Sequence, residues 1–336
     1  MNSFSPFIKT IQLLGLSSLL LGAFNLNASN LSKAPHDPII EKLYHTLNNN
    51  SKSDMAKRLE IASSLFLEKP YVLWALGEGP EARFDQSPLY RTDGFDCETY
   101  VDTVLAIALA ENPHIFKQCI NKIRYLNGRV DFLTRNHFIS LDWNINNQRA
   151  GFIKDITTTI KGKNNQPVAK MASALIDKPS WYQSMKTDRI NVSTLTKEEQ
   201  VIRLLELRKQ GRSLSKKVAK IPYLPLTALF DKQGKPDKAL FAQIPNAAII
   251  EIVRPDWDLR QQIGTHLNVS HLGFAFWKNG EIVFRQASSN VGKVVEVPLV
   301  DYLKATLASP TIKGINIQVL MPEKPLSTNC NPKLMQ

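Results

Sequence analysis

Of the three cysteines in the sequence, Cys97, Cys119 and Cys330, the first stands in a setting suited to nucleophilic chemistry. It lies in Arg91-Thr92-Asp93-Gly94-Phe95-Asp96-Cys97-Glu98-Thr99-Tyr100. Asp96 is a good N-cap, which makes Cys97 the first residue of the helix that follows. Val101, Val104, Leu105, Ala108 and Leu109 give this helix an apolar face, and counting back by four from Leu105 through Val101 reaches Cys97. The thiol therefore stands where the buried face meets the positive mouth of the helix. A thiolate is favoured there over a thiol, and free backbone N–H groups are available to an oxyanion. A small buried core cysteine is the competing reading. Asp93 and Asp96 read as turn and cap residues rather than catalytic acids.

A thiol nucleophile needs a base, usually histidine. Ser270-His271-Leu272-Gly273-Phe274-Ala275-Phe276 puts one in a strand, and Asn279-Gly280 is a two-residue hairpin signal. With that turn, Lys278 pairs with Glu281, His271 faces Ser288 and Gly273 faces Gln286, all four of the last on one sheet face. Gln286 is then the diagonal neighbour of His271, about 7–8 Å away between backbones and within reach of a long side chain. A polar residue there can orient the imidazole, as a catalytic triad requires. A strand histidine satisfied by backbone is the alternative. Cysteine at a helix start, then histidine on a strand, then a polar residue on the next strand is the order of papain-like enzymes.

The elements that must position these groups follow from periodicity. Residues 39–126 read as helical, with apolar residues three or four apart at 55–66 and 101–109, punctuated by Pro70, Gly77, Gly79 and Pro80. Residues 135–145 alternate like a strand or exposed loop, and 151–193 read as a connecting region. A charged helix is expected at 196–210, opened by a capping box of Thr196 and Glu199. Strands are expected at 247–253, 269–277, 282–287 and 315–320. The fold class is α+β, two-lobed: a helical lobe over residues 29–190 carrying the cysteine, and a mostly antiparallel β lobe over 191–336 carrying the histidine.

The chain of 336 residues has 42 Lys and Arg against 30 Asp and Glu, a net charge of +12 that suits an anionic polymer as partner. Residues 1–28 read as a secretory signal peptide: Lys9 is the one charge, an apolar stretch covers 11–24, and Leu26-Asn27-Ala28 resembles a cleavage site. No cysteine follows the apolar stretch to carry a lipid anchor, and no later segment is long and apolar enough to span a membrane. A periplasmic or secreted protein follows, with little support for nucleic acid as partner. Outside the cytoplasm thiols tend to be oxidised, and pairing of Cys119 with Cys330 is the arrangement that would leave Cys97 free.

Several segments together resemble a known family. They are Pro70-Tyr71 with Leu76-Gly77-Glu78-Gly79, Tyr90-Arg91 through Asp96-Cys97-Glu98-Thr99-Tyr100-Val101, and Arg135-Asn136-His137-Phe138 with Asp142-Trp143. Ile221-Pro222-Tyr223-Leu224-Pro225, Ser270-His271-Leu272-Gly273 and Ala287-Ser288-Ser289 follow. From about residue 65 to 320 the chain is similar to the exported bacterial N-acetylmuramoyl-L-alanine-amidase-like proteins, whose papain-like core is related to the NlpC-type cell-wall hydrolases. The resemblance implies Cys97 as nucleophile, His271 as general base and Gln286 as the orienting residue, where related sites often have His or Asn. It implies peptidoglycan or muropeptide fragments as substrate. Arg135, His137, Trp143 and Ser288 are the candidate substrate contacts: Arg135 to pair with a carboxylate, Trp143 to stack on a sugar or lactyl group. The competing reading makes Arg135, His137 and Asp142 a buried polar network.

Other chemistries find less support. His266 and His271 are five apart, on opposite faces of a strand, and no His-Glu-x-x-His occurs, so neither a metal nor another cofactor is expected. No pair of acids is marked by its setting as a glycosidase pair. The expectation is a cysteine-dependent hydrolase cleaving the amide between N-acetylmuramic acid and L-alanine. A stem-peptide endopeptidase with the same residues and a non-catalytic wall-binding module remain as alternatives.

Overall fold

Helices come first, and three of the first four are capped by the residue that precedes them. The computed structural model describes residues 38–50 and 54–332; the signal peptide expected at 1–28 lies outside the described residues. The first helices are α1 (Pro38–Asn50), α2 (Met55–Ser64), α3 (Cys97–Leu109) and α4 (Pro113–Arg124). Asp54 accepts the Lys57 N–H at 2.9 Å, Asp96 accepts that of Thr99 at 2.8 Å, and Asn112 accepts those of His114 and Ile115. Each such cap contributes about 0.5–2 kcal/mol. Every residue of α3 from Thr99 to Leu109 is buried, so this helix is enclosed by protein on all sides. Cys119 of α4 is disulfide-bonded to Cys330, which leaves Cys97 as the free cysteine.

The strands are β1 (Ile153–Asp155), β2 (Lys170–Ile176), β3 (Lys217–Pro225), β4 (Ala248–Leu259), β5 (Thr265–Lys278), β6 (Glu281–Ser288), β7 (Lys293–Pro298) and β8 (Gly314–Leu320). They pair antiparallel in the order β2-β3-β8-β4-β5-β6-β7, with β1 on β8. Between them lie α5 (Asn144–Ala150), α6 (Lys178–Ser184) and α7 (Lys197–Arg212). Short helices α8 (Leu226–Leu229), α9 (Lys238–Phe241), α10 (Arg260–Ile263) and α11 (Leu299–Lys304) lie among the later strands. The class is mixed α+β with an antiparallel sheet, as expected.

Both sheet faces are covered. Leu272, Phe274 and Phe276 of β5 pack with Val101, Val104 and Leu105 of α3. On the opposite face Ala275, Ile282 and Phe284 meet Leu226 and Leu229 of α8 and Leu299 and Leu303 of α11. The hairpin register is the expected one: Lys278 pairs with Glu281 and Phe274 with Arg285, around Asn279 and Gly280 at φ 50° and 82°. Those positive values are the ones a type I′ turn needs, hence Asn-Gly. On the other side of β5, Ile252 pairs with His271 but Val253 pairs with Val269, so Ser270 is the extra residue of a β-bulge just before His271. Bulges re-aim neighbouring side chains and are frequent beside active sites.

Two expectations are corrected. Residues 135–138 are irregular, with Arg135 in an isolated bridge to Tyr125, but Ile139–Trp143 forms a π-helical turn that runs into α5. The Phe138 carbonyl accepts the N–H groups of Leu141, Asp142 and Trp143 there, and the apolar alternation reflects Trp143 turning into the core. The connecting region at 151–193 holds β1, β2 and α6. In β2, Ala172, Ala174 and Ile176 point inward, but the outward Met171 and Leu175 are also apolar and exposed, so no polar alternation marks the strand. The helix expected at 196–210 is α7, with both capping-box bonds made: Thr196 accepts the Glu199 N–H at 3.2 Å and Glu199 accepts that of Thr196 at 2.8 Å.

Candidate active site

The start of α3 is arranged to leave one N–H free beside the thiol. Asp96 accepts from Thr99 N through its carboxylate and from Tyr100 N through its carbonyl at 3.0 Å, while Thr99 Oγ1 accepts the Asp96 N–H at 3.0 Å. The Glu98 and Leu272 backbones face the Cys97 sulfur and favour its charged form. Cys97 N–H has no partner among the described residues. Leu272 follows His271 on β5, so its contact brings the histidine strand to the mouth of the cysteine helix.

His271 is oriented by three neighbours. Its Nε2 is hydrogen-bonded to Gln286 Oε1. Tyr302 of α11 stacks on the ring at 6.3 Å and an interplanar angle of 26°, and Phe284 meets it edge-on at 5.9 Å. An amide oxygen only accepts, so Nε2 carries the proton and Nδ1 keeps the lone pair available to a base. The diagonal His271–Gln286 contact is the one expected from the hairpin register. Tyr302 had no signal in the sequence, because α11 follows β7 with no pattern linking it to β5.

The electrostatics differ from the expectation of a stabilised thiolate. Burial pushes the Cys97 thiol well up, the charges of Asp96 and Glu98 push it further, and the Leu272 and Glu98 N–H groups offset only part. Burial also lowers His271 to about 4, against the opposing Gln286 bond. Desolvation of both groups wins over the helix N-terminus. The resting pair is neutral thiol and neutral imidazole, and proton transfer must accompany attack.

The expected substrate contacts fare unequally. Arg135 is committed: its Nε donates to Glu78 Oε1 at 2.6 Å, one Nη donates to Asp85 Oδ2 at 3.1 Å, and the guanidinium covers the Phe132 ring. His137 bonds the Phe132 carbonyl through Nε2 at 2.8 Å, and burial with the Arg135 charge keeps it neutral. Trp143 has 0 % exposure and donates Nε1–H to Asp102 at 2.7 Å, so its ring presents no face to a sugar. That corrects the stacking role and favours the buried-network reading, in which Asp142 also pairs with Lys178 at 2.7 Å. Ser288 Oγ accepts the Val291 N–H at 3.2 Å in the turn before β7.

A pocket of about 170 Å³ runs down α3 from Asp96 through Glu98 to Asp102, and neither Cys97 nor His271 lines it. Its other walls include Trp74, Arg135, His137 and Arg189. Trp74 and Arg189 were missed from sequence; neither lies in a periodic segment or beside a candidate nucleophile. Among the described residues no group of three or more His, Cys, Asp or Glu side chains is placed to hold a metal.

Free Cys97 heads α3, and His271 and Gln286 meet on β5 and β6 of an antiparallel sheet covered by helices. Residues 61–312 match the AmiA-like, N-acetylmuramoyl-L-alanine amidase-like family, and the chain belongs to that family. A crystal structure from Legionella pneumophila is similar over 87 % of this chain and 96 % of its own, at 53 % identity and a TM-score of 0.84. An N-acetylmuramoyl-L-alanine amidase from Bacteroides uniformis is similar over 80 % and 99 %, at 26 % identity and a TM-score of 0.57. A Bacteroides fragilis protein proposed to be a xylanase is similar over 76 % and 98 %, at 25 % identity and a TM-score of 0.53. No curated protein matches the sequence. Membership supports a peptidoglycan hydrolase at the level of the family. No helix among the described residues is long and apolar enough to cross a membrane.

Proposed function

We propose that this chain is an exported, cysteine-dependent peptidoglycan hydrolase of papain-like type that cleaves the amide between N-acetylmuramic acid and L-alanine. The observation that supports the reading is free Cys97 at the start of α3, packed in the same core cluster as Leu272, which follows His271 of the His271–Gln286 pair on β5 and β6. In the proposed cycle, His271 Nδ1 takes the Cys97 proton as sulfur attacks the lactyl carbonyl. The free Cys97 N–H donates to the resulting oxyanion. Collapse breaks the C–N bond, His271 returns its proton to the leaving L-alanine amine, and a thioester remains on Cys97. Water, deprotonated by His271, then hydrolyses the thioester to the free acid and thiol. One oxyanion donor is commonly worth ~10²–10³ in rate, so the placement of α3 matters as much as the thiol.

Mass spectrometry of purified muropeptides incubated with the protein without its leader tests the bond assignment. Release of intact stem peptide and bare disaccharide is the expected result. Shortened stems still attached to sugar would move the assignment to a stem-peptide endopeptidase, and unchanged muropeptides would overturn the substrate class.

A further inference from the structure

Six charged side chains line the pocket beside the nucleophile helix: Asp96, Glu98, Asp102, Arg124, Arg135 and Arg189. Four are spent on the fold. Asp96 caps α3, Asp102 accepts from Trp143, Arg124 donates to the Gly77 and Leu89 carbonyls at 3.1 and 2.8 Å, and Arg135 holds Glu78 and Asp85. Among the described residues, Glu98 and Arg189 make no hydrogen bond or ion pair through their side chains. Glu98 has an escape, because burial and the neighbouring Asp102 drive it toward the neutral acid. Arg189 has none. Burial and the Arg135 charge lower it to about 10 against the opposing charges of Asp85, Asp188 and Asp96, so it stays a cation at neutral pH.

A second observation concerns what holds Arg189. Its guanidinium lies over the Trp74 ring at 4.1 Å from the centroid. Trp74 is 51 % exposed and sits at φ 56°, a left-handed backbone that a bulky residue takes only under constraint. Core packing therefore does not account for this tryptophan, and strained, exposed positions of that kind cluster at ligand sites. A guanidinium stacked by its face keeps its edge N–H groups free for a planar, two-oxygen acceptor.

We infer that Arg189, presented by Trp74, binds a free carboxylate on the peptide part of the substrate, and that the protein selects stem peptides carrying that carboxylate over amidated ones. The inference rests on the peptidoglycan reading above and adds which chemical form of the stem is accepted. The carboxylate nearest the L-alanine amide is the α-carboxylate of the γ-linked D-glutamate that follows it; in many walls this group is the carboxamide instead. Arg135, the expected carboxylate partner, already has two and is excluded by its own contacts.

The test compares two muropeptides that differ only in carboxylate or carboxamide at that residue, with wild-type protein, Arg189→Gln and Arg189→Lys. Wild type is expected to prefer the carboxylate by about 10- to 100-fold in kcat/KM, mainly through KM, the range of a charge-assisted two-bond contact. Arg189→Gln loses this preference, its ratio of kcat/KM for carboxylate over carboxamide falling toward one, and Arg189→Lys keeps part of it. Equal wild-type rates on both substrates would overturn the inference while leaving the peptidoglycan reading in place. So would an Arg189→Gln protein that slows on both by one factor, since that marks a structural role. Failure of wild type to cleave either substrate would overturn the peptidoglycan reading and, with it, this inference.

Discussion

Replacing Glu251 by glutamine should stabilise the protein, and more so as pH rises. Glu251 lies on β4 opposite Leu272, with 0 % exposure. Its Oε2 accepts the Asn144 amide N–H at 3.0 Å, while Glu251 Oε1 and Asn144 Oδ1 are both buried without a partner. Burying a charged carboxylate with one oxygen unpartnered is costly, so the neutral acid is favoured here. Burial raises Glu251 from an ordinary 4.5 to about 8, the Asn144 bond opposes this, and Asp155 adds to it. The folded protein therefore holds this proton across a pH window in which the unfolded chain has released it. Stability is untouched below the unfolded value, falls by about 1.4 kcal/mol per pH unit between the two values, and levels off above the folded one. At pH 7 the wild-type protein has lost roughly 3 kcal/mol relative to pH 4.5 from this one group. Glutamine cannot ionise and keeps an amide able to pair with Asn144. Denaturant unfolding of wild type and Glu251→Gln at pH 5, 7 and 8.5 reads the difference. The expected gap is small at pH 5, roughly 3 kcal/mol in favour of the variant at pH 7, and larger at pH 8.5. A gap independent of pH would show that Glu251 does not hold its proton in the fold, and the reasoning fails.

Other consequences follow from the same structure. Because His271 is lowered to about 4, the acid limb of kcat/KM should fall near pH 4, below which the imidazole is charged and cannot act as base; a limb near 6.5 contradicts this. The raised Cys97 thiol should react slowly with iodoacetamide at pH 7, with thiolate appearing only on the alkaline side; a midpoint below pH 8 contradicts the burial argument. Replacing both Cys119 and Cys330 by alanine should cost about 2–5 kcal/mol by urea unfolding, because the bridge closes a loop of 211 residues; an unchanged midpoint would contradict it. Trp143→Phe leaves buried Asp102 without its 2.7 Å donor and should cost about 1–3 kcal/mol while sparing KM. A raised KM at unchanged stability would restore Trp143 to the substrate cleft.

What the sequence reveals here is what local chemistry controls. Asp96 as cap, Cys97 at the first helical position, the Thr196–Glu199 box and the Asn279-Gly280 turn depend on residues within four of one another. The hairpin register then carries that locality across two strands, which is why the His271–Gln286 contact was within reach of sequence reasoning. The failures share a cause in tertiary override. Trp143 reads as a substrate-stacking aromatic until Asp102, on another helix, is known to accept its N–H. β2 carries apolar residues on both faces, so no period of two appears. Desolvation of Cys97 and His271 depends on Tyr302, Leu272 and the covering helices, and no motif reports it. Arg189 and Trp74 come from segments far apart in the chain and meet only in the folded pocket.

The central claim is that Cys97 carries the acyl group during turnover. Acid-quenching wild-type protein during reaction with a muropeptide, followed by peptide mapping of the intact thioester, tests it directly. The account predicts an acyl adduct on the peptide containing Cys97, and with Cys97→Ala neither adduct nor turnover. Undiminished muropeptide cleavage by Cys97→Ala, with no adduct on that peptide in wild type, would contradict it.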